Sequence, residues 1–392
     1  MEFKNLALRP AAAVDAYDSD MDSEWVQTPP EDAFTDEDEI QIDSTGDLLL
    51  HVGSDSSTGT TKSFRVCSNT LRRASPFWRR TLIETLSKTQ PGDEEWCGWT
   101  PSLYACPHDK SDGLMILLNI IHARFSLVPK DPSLTEIYHT LCLASLYEME
   151  HAFQPWIAQW YGMMKTSENT RDGRDLAMLS CIAWALGDER LFARTIIKTS
   201  LTCIIDDQGH MATPDGIRLE DYFYDSLGSP TIPGKLSPHV PRSLKPHAKN
   251  ISETIRTLRS QLAAELPSHL NGVIDRLIDG KWLCAGISGI PVTRNKKCDY
   301  VVLGSVLAGL IYVRGSRATE VTIRADESIM DLLKSLKRVL SYVTCYEKHP
   351  ECNPAEQISE AMKKTIDEMD IPLSSDCVQR MKEQRQKTGW QN

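Results

Sequence analysis

Gly46-Asp47-Leu48-Leu49-Leu50-His51-Val52-Gly53, followed after a polar turn by Lys62-Ser63-Phe64-Arg65-Val66-Cys67-Ser68-Asn69-Thr70-Leu71-Arg72-Arg73-Ala74-Ser75-Pro76-Phe77-Trp78-Arg79-Arg80-Thr81-Leu82, decides how this chain is read. Leu48, Leu50 and Val52 fall on one face of the first run, and Phe64 and Val66 alternate with Arg65 in the second. That period of two, with a turn over Ser54–Thr61 containing Gly59, predicts a β-hairpin. Helices follow at once. Ser75-Pro76 is a helix start: serine caps the unpaired N–H groups of a first turn, and proline fits the first helical position. Trp78, Leu82 and Leu86 then recur every fourth residue as one apolar stripe.

A hairpin followed by Ser68-Asn69-Thr70-Leu71 and Ala74-Ser75-Pro76-Phe77-Trp78 resembles the opening of a BTB/POZ domain, with Cys67 near a position where that family often has histidine. The resemblance covers about Thr45 to Met164, and the part beyond it is similar to a loose group of fungal BTB-domain proteins. It implies a small, mainly three-stranded sheet covered by helices. It also implies protein–protein binding, with self-association through the first strand and helix. In many family members the third to fifth core helices dock a cullin scaffold, so that the adaptor presents a substrate for ubiquitin transfer. Carried over by position, that face lies between Ser126 and Tyr147, with Tyr138, His139 and Tyr147 as partner-binding candidates.

Bulk properties narrow the class. A chain of 392 residues has room for two or three domains and a sizeable core. No run of about 18 apolar residues is present, so no membrane span is expected. The first residues lack the pattern of a secretory signal. Eleven cysteines, odd in number and scattered, then read as reduced thiols of an intracellular protein of the cytoplasm or nucleus. The net charge of −11 is local: Pro10 to Thr61 holds 14 acidic residues and no Lys or Arg, which leaves 40 acidic against 43 basic residues elsewhere. Without clustered positive charge a nucleic-acid surface is not expected.

Taken in order, residues 1–44 read as an acidic disordered tail whose charges repel and whose apolar content cannot offset ordering entropy. Residues 45–165 form the BTB/POZ-like domain. A third strand is expected near Ser102–Cys106, and Ser111-Asp112 caps a helix with Leu114, Leu117, Leu118 and Ile121 on one face. Ser133-Leu134-Thr135-Glu136 is a capping box. Residues 166–205 form a helical extension with Gly187 as a C-terminal cap. Residues 206–249, rich in proline and glycine, read as an irregular linker with a short ordered piece near Arg218–Leu227. Residues 250–392 form an α-rich C-terminal region. Within it Asp299–Val313 reads equally as helix or buried strand, because periodicity cannot decide so short an apolar run. The fold class expected is thus α+β: a BTB/POZ-type core, a helical extension and a helical C-terminal region.

The chain has no Gly-rich phosphate loop, nucleophile elbow or His-Glu-x-x-His. No catalytic residue, cofactor or metal is assigned, and the protein is not expected to be an enzyme. One metal candidate is open: Cys284, Cys298, His349 and Cys352, with Cys345 able to replace one of them. Three thiolates and an imidazole suit tetrahedral zinc, although free cysteines commonly pack without metal. Trp156, Trp160 and Trp184 read as core more than as a partner surface. Arg72, Arg73, Arg79 and Arg80 read as a solvated face that would alternatively bind an acidic partner or the chain's own tail. The expectation is therefore an interaction adaptor or scaffold with protein partners. It would be a homo-oligomer with a cullin scaffold among its partners, and neither membrane nor nucleic acid. The alternative is a BTB-containing transcriptional or chromatin regulator, and a third reading is an enzyme built on the C-terminal region.

Overall fold

The computed structural model describes residues 39–52, 62–88, 102–104, 111–167, 172–226, 229–230, 251–281, 284, 296–315, 320–324, 326–346, 350–371, 373 and 375–390. The expectations for residues 1–38, the turn at 54–61, the turn at Pro91, most of the linker's prolines and His349 lie outside these.

The expected hairpin is present. β2 (Leu48–Val52) and β3 (Lys62–Val66) are antiparallel, with Leu50 opposite Phe64 and Leu49 opposite Arg65. Leu48, Leu50, Val52, Phe64 and Val66 are all buried, as the alternation requires. β4 (Ser102–Tyr104) joins β2 in parallel, where the third strand is expected.

A fourth strand is not expected from sequence. β1 (Glu39–Gln41) runs parallel to β3 and gives the sheet order β1-β3-β2-β4. Residues 39–44, which charge alone places in the tail, therefore belong partly to the sheet. Three contacts explain it. Glu39 takes Arg65 in a two-pronged ion pair at 2.6 and 3.1 Å, Arg124 donates to the Gln41 carbonyl at 2.9 Å, and Ile40 packs on the core. An acidic residue beside its basic partner is a strand residue, not a repelled one.

Helices cover the sheet: α1 (Ser68–Ala74), α2 (Pro76–Lys88), α3 (Ser111–Ile121), α4 (Leu134–Leu146) and α5 (Gln154–Ser167). The capping box is present, with the Glu136 N–H on Ser133 and the Ser133 N–H on Glu136. Buried Ser75 accepts from the Trp78 N–H at 2.9 Å and donates to the Tyr147 carbonyl at 2.6 Å, which fastens α2 to the end of α4. α6 (Gly173–Leu186) is buried along nearly its whole length and pairs with α7 (Glu189–Thr202). Gly187 between them is left-handed, φ 73°, as a C-terminal cap requires.

Residues 204–226 are more ordered than their proline and glycine content predicts. β5 (Ile204–Ile205) and β6 (Met211–Ala212) form a short hairpin. Leu219 and Phe223 enter the core, and β7 (Tyr224–Ser226) pairs with β8 (Ser229–Pro230).

The last third is helical: α8 (Ile251–Ile278), α9 (Lys296–Arg314), α10 (Ile329–Leu340), α11 (Ala355–Asp367) and α12 (Ser375–Thr388). The ambiguous Asp299–Val313 run is thus helix. α8 has 28 residues, about 42 Å of helix, and links two apolar cores. Ile251, Ile255 and Leu258 join the core of the sheet and first helices, whereas Leu262 to Leu277 join a second core with α9, α10 and α11. α12 and the residues just after it return to the first core: the Trp390 ring packs at a tilt against Tyr161, centroids 4.1 Å apart, and Arg385 donates to the Gly187 carbonyl at 2.6 Å. Among the described residues no helix is long and apolar enough to cross a membrane.

Candidate functional site

The three residues carried over by resemblance fall mostly inside. Tyr138 is buried on α4, donates to the Tyr222 carbonyl at 3.0 Å, and burial holds its hydroxyl well above the ordinary tyrosine pKa. Tyr147 is buried with its ring 5.0 Å from that of Trp78. Both are packing residues, which corrects their reading as a partner surface; His139 is half-buried beside Tyr138. Trp160 and Trp184 are core, as expected, while Trp156 is half-buried against exposed Phe125. Of the arginines, Arg79 donates to the Arg72 carbonyl and Arg80 pairs with Glu148.

Two other places carry chemistry or surface. The first is the outer face of α9. From Tyr300 to Val313 the sequence holds no charged residue. One side of the helix packs on the second core through Val302, Val306 and Leu310. The other side exposes Tyr300 (65 %), Val301 (37 %), Ile311 (50 %) and Tyr312 (68 %), with Gly304 and Ala308 between them, also exposed. A Cβ built on Gly304 meets nothing within 4 Å. Exposed Tyr342 packs its ring at a tilt against Tyr312, centroids 5.2 Å apart, and Arg338 lies over the Tyr312 ring at 5.9 Å. Contiguous exposed apolar surface of this kind marks interaction sites. Its signal in the sequence was the uncharged run itself, whose membership of a helix was undecided.

The face also reads the same in both directions. Tyr300 and Tyr312, Val301 and Ile311, and Gly304 and Ala308 are each equidistant from Val306. All six fall within a third of the helix circumference, at 100° per residue.

The second place is a thiol cluster. Cys284 follows α8, Cys298 sits in the first turn of α9, and Cys352 ends the short turn before α11. Their sulfurs lie within 4.8 Å of one another, and all three cysteines are buried and outside any disulfide. Half-buried Cys345 packs against them. The Cys284 N–H donates to Asp299 at 3.1 Å. The Cys298 thiol is raised above its ordinary value, chiefly by burial and also by Cys284, against the opposing pull of the Tyr346 N–H and the Cys352 side chain. Three of the four residues named from sequence thus meet; the fourth, His349, lies outside the described residues.

No protein-family model, no curated protein and no solved structure matches the chain.

Proposed function

We propose that this chain is a non-catalytic interaction scaffold that self-associates through the outer face of α9. The observation that carries the reading is the mirrored exposed face. Most oligomers of identical chains are closed by a two-fold axis, which requires a surface complementary to itself. An antiparallel second copy of α9, crossing at the level of Val306, sets Tyr300 against Tyr312 and Val301 against Ile311. It sets Gly304 against Ala308, where small side chains let two backbones approach. Lys296, Lys297 and Arg338 supply a polar rim. The BTB/POZ resemblance adds the wider role, an adaptor that holds protein partners, among them a cullin-type ubiquitin ligase scaffold. A transcriptional or chromatin regulator remains the alternative, and it draws no support from basic surface.

Sedimentation velocity of the full chain tests the reading. A dimer is expected, and Gly304→Arg together with Tyr312→Glu converts it to monomer, weakening association at least 100-fold, about 2.7 kcal/mol or more. Both positions are exposed, so the variant keeps its helical spectrum. A wild-type monomer at every concentration, or a dimer indifferent to the double substitution, overturns the reading.

A further inference from the structure

We propose that Cys284, Cys298 and Cys352 hold a structural zinc ion whose fourth ligand is Cys345. This rests on residues other than the exposed face of α9 and stands if the chain proves monomeric.

The first support is convergence. Two segments 14 residues apart and a third 54 residues further on bring three sulfurs within 4.8 Å of one another. Zinc–sulfur bonds of about 2.3 Å place tetrahedral sulfurs about 3.8 Å apart, so small side-chain rotations close the set around an ion. The second support is company. Cys142, Cys181 and Cys203 behave as small apolar residues, buried among the leucines and isoleucines of the main core. Cys284, Cys298 and Cys352 do not: they form a buried cluster of their own, whose only other packed hydrophobic neighbour among the described residues is a fourth cysteine, Cys345. Cys345 also packs on the second core, but apolar packing gives no reason to set three buried thiols apart from the aliphatic side chains. The third support is orientation. The Tyr346 N–H is bonded to the Cys298 sulfur, and the Cys284 N–H is held by Asp299, so one backbone donor and one carboxylate already orient the chain at two of the three sulfurs.

On binding, the ion takes the place of the thiol protons, which leave to solvent, and four sulfur–zinc bonds form with no change of oxidation state. The four cysteines leave no open coordination position, so the ion is structural. It would join the loop after α8, the start of α9, the segment after α10 and the turn before α11.

The test uses the full chain purified without chelator. Elemental analysis is expected to give about one zinc per chain. Replacing the metal with Co²⁺ is expected to give thiolate charge-transfer bands and intense visible bands of tetrahedral cobalt. Cys345→Ser weakens zinc binding at least tenfold and changes the cobalt spectrum, while Cys377→Ser, on α12, does neither. Chelator lowers the melting temperature of wild type but not of Cys352→Ser. Because a cysteine variant can fail to fold, the cobalt spectrum of the wild-type chain is the deciding arm. A folded wild-type chain that takes up neither zinc nor cobalt overturns the proposal. So does a disulfide joining two of Cys284, Cys298 and Cys352 in the purified protein.

Discussion

His122 shows how one side chain sets the protonation state the fold needs. Its Nε2 accepts from the Cys67 N–H at 3.2 Å, so the ring's proton sits on Nδ1 and is donated to the Leu118 carbonyl at 2.9 Å. Burial is the main reason its pKa lies below 6.5; Arg124 adds to the fall, while the Leu118 carbonyl and Asp43 oppose it. Buried His51, bonded to Ser63 at 2.8 Å, is lowered by burial too, against the pull of Glu39. The sign follows. The unfolded chain takes up protons near 6.5 while the folded chain does not, so this stability is fully present above about pH 6.5 and is lost as pH falls through the lower folded values. Thermal unfolding between pH 8 and pH 5 is expected to show a falling melting temperature below 6.5, and His122→Gln with His51→Gln flattens that fall. An unchanged slope in the double variant contradicts the assignment.

Arg314 makes a second residue-scale case. It is almost fully buried and forks onto Glu327 at 2.8 and 2.9 Å, while also donating to Ser335 and to the Thr322 carbonyl. Removing one member leaves the other charge buried and unpaired, the costly half of a buried pair. Arg314→Met is expected to lose about 3–5 kcal/mol in urea unfolding, and Arg314→Met with Glu327→Leu to recover much of it. A loss below about 1 kcal/mol, the size typical of an exposed pair, contradicts the assignment.

At the scale of elements, joints matter more than helices. Arg259 on α8 is buried and donates to the Cys203 carbonyl at 3.2 Å and the Glu327 carbonyl at 2.7 Å, so one guanidinium ties the end of α7 to the approach of α10. Gly187 is another joint. Its left-handed backbone ends α6, and a Cβ there would collide with the Met381 carbonyl of α12. Gly187→Ala is expected to cost about 1–3 kcal/mol from backbone strain and displaced packing. It should also open residues 375–390 to limited proteolysis before the rest of the chain. Cleavage at the wild-type rate would show that α12 does not depend on this joint.

These elements also show what sequence makes legible. The hairpin, the Ser133–Glu136 box, the Ser75-Pro76 start and the Gly187 cap were readable, because each is set by neighbours in the chain. β1 was not, because Glu39 is a tail residue until Arg65, far along the chain, is placed beside it. The return of α12 was not, because Met381 and Trp390 give no signal of which core they join. α8 runs on through Pro267 while its two ends face different cores, Ile251, Ile255 and Leu258 the first and Leu262 to Leu277 the second. The candidate sites divide in the same way. The cysteines could be named from spacing, whereas Tyr138 and Tyr147, carried over by position, proved to be packing residues. The mirrored face of α9 became visible only when the run was known to be a helix.

At the scale of the whole molecule, two cores share the helix α8, and the second core presents an uncharged outer face. Self-association requires that face to meet a copy of itself in antiparallel register. The most direct measurement is cross-linking of a Gly304→Cys, Ala308→Cys variant under mild oxidation, read by non-reducing electrophoresis and peptide mass spectrometry. Positions in register come within the Cα separation of about 4.4–6.8 Å that a disulfide needs. The predicted result is a covalent dimer of twice the 44.1 kDa chain, with position 304 of one copy joined to position 308 of the other. A chain that stays monomeric under the same oxidation, or that cross-links only through its native cysteines, contradicts it.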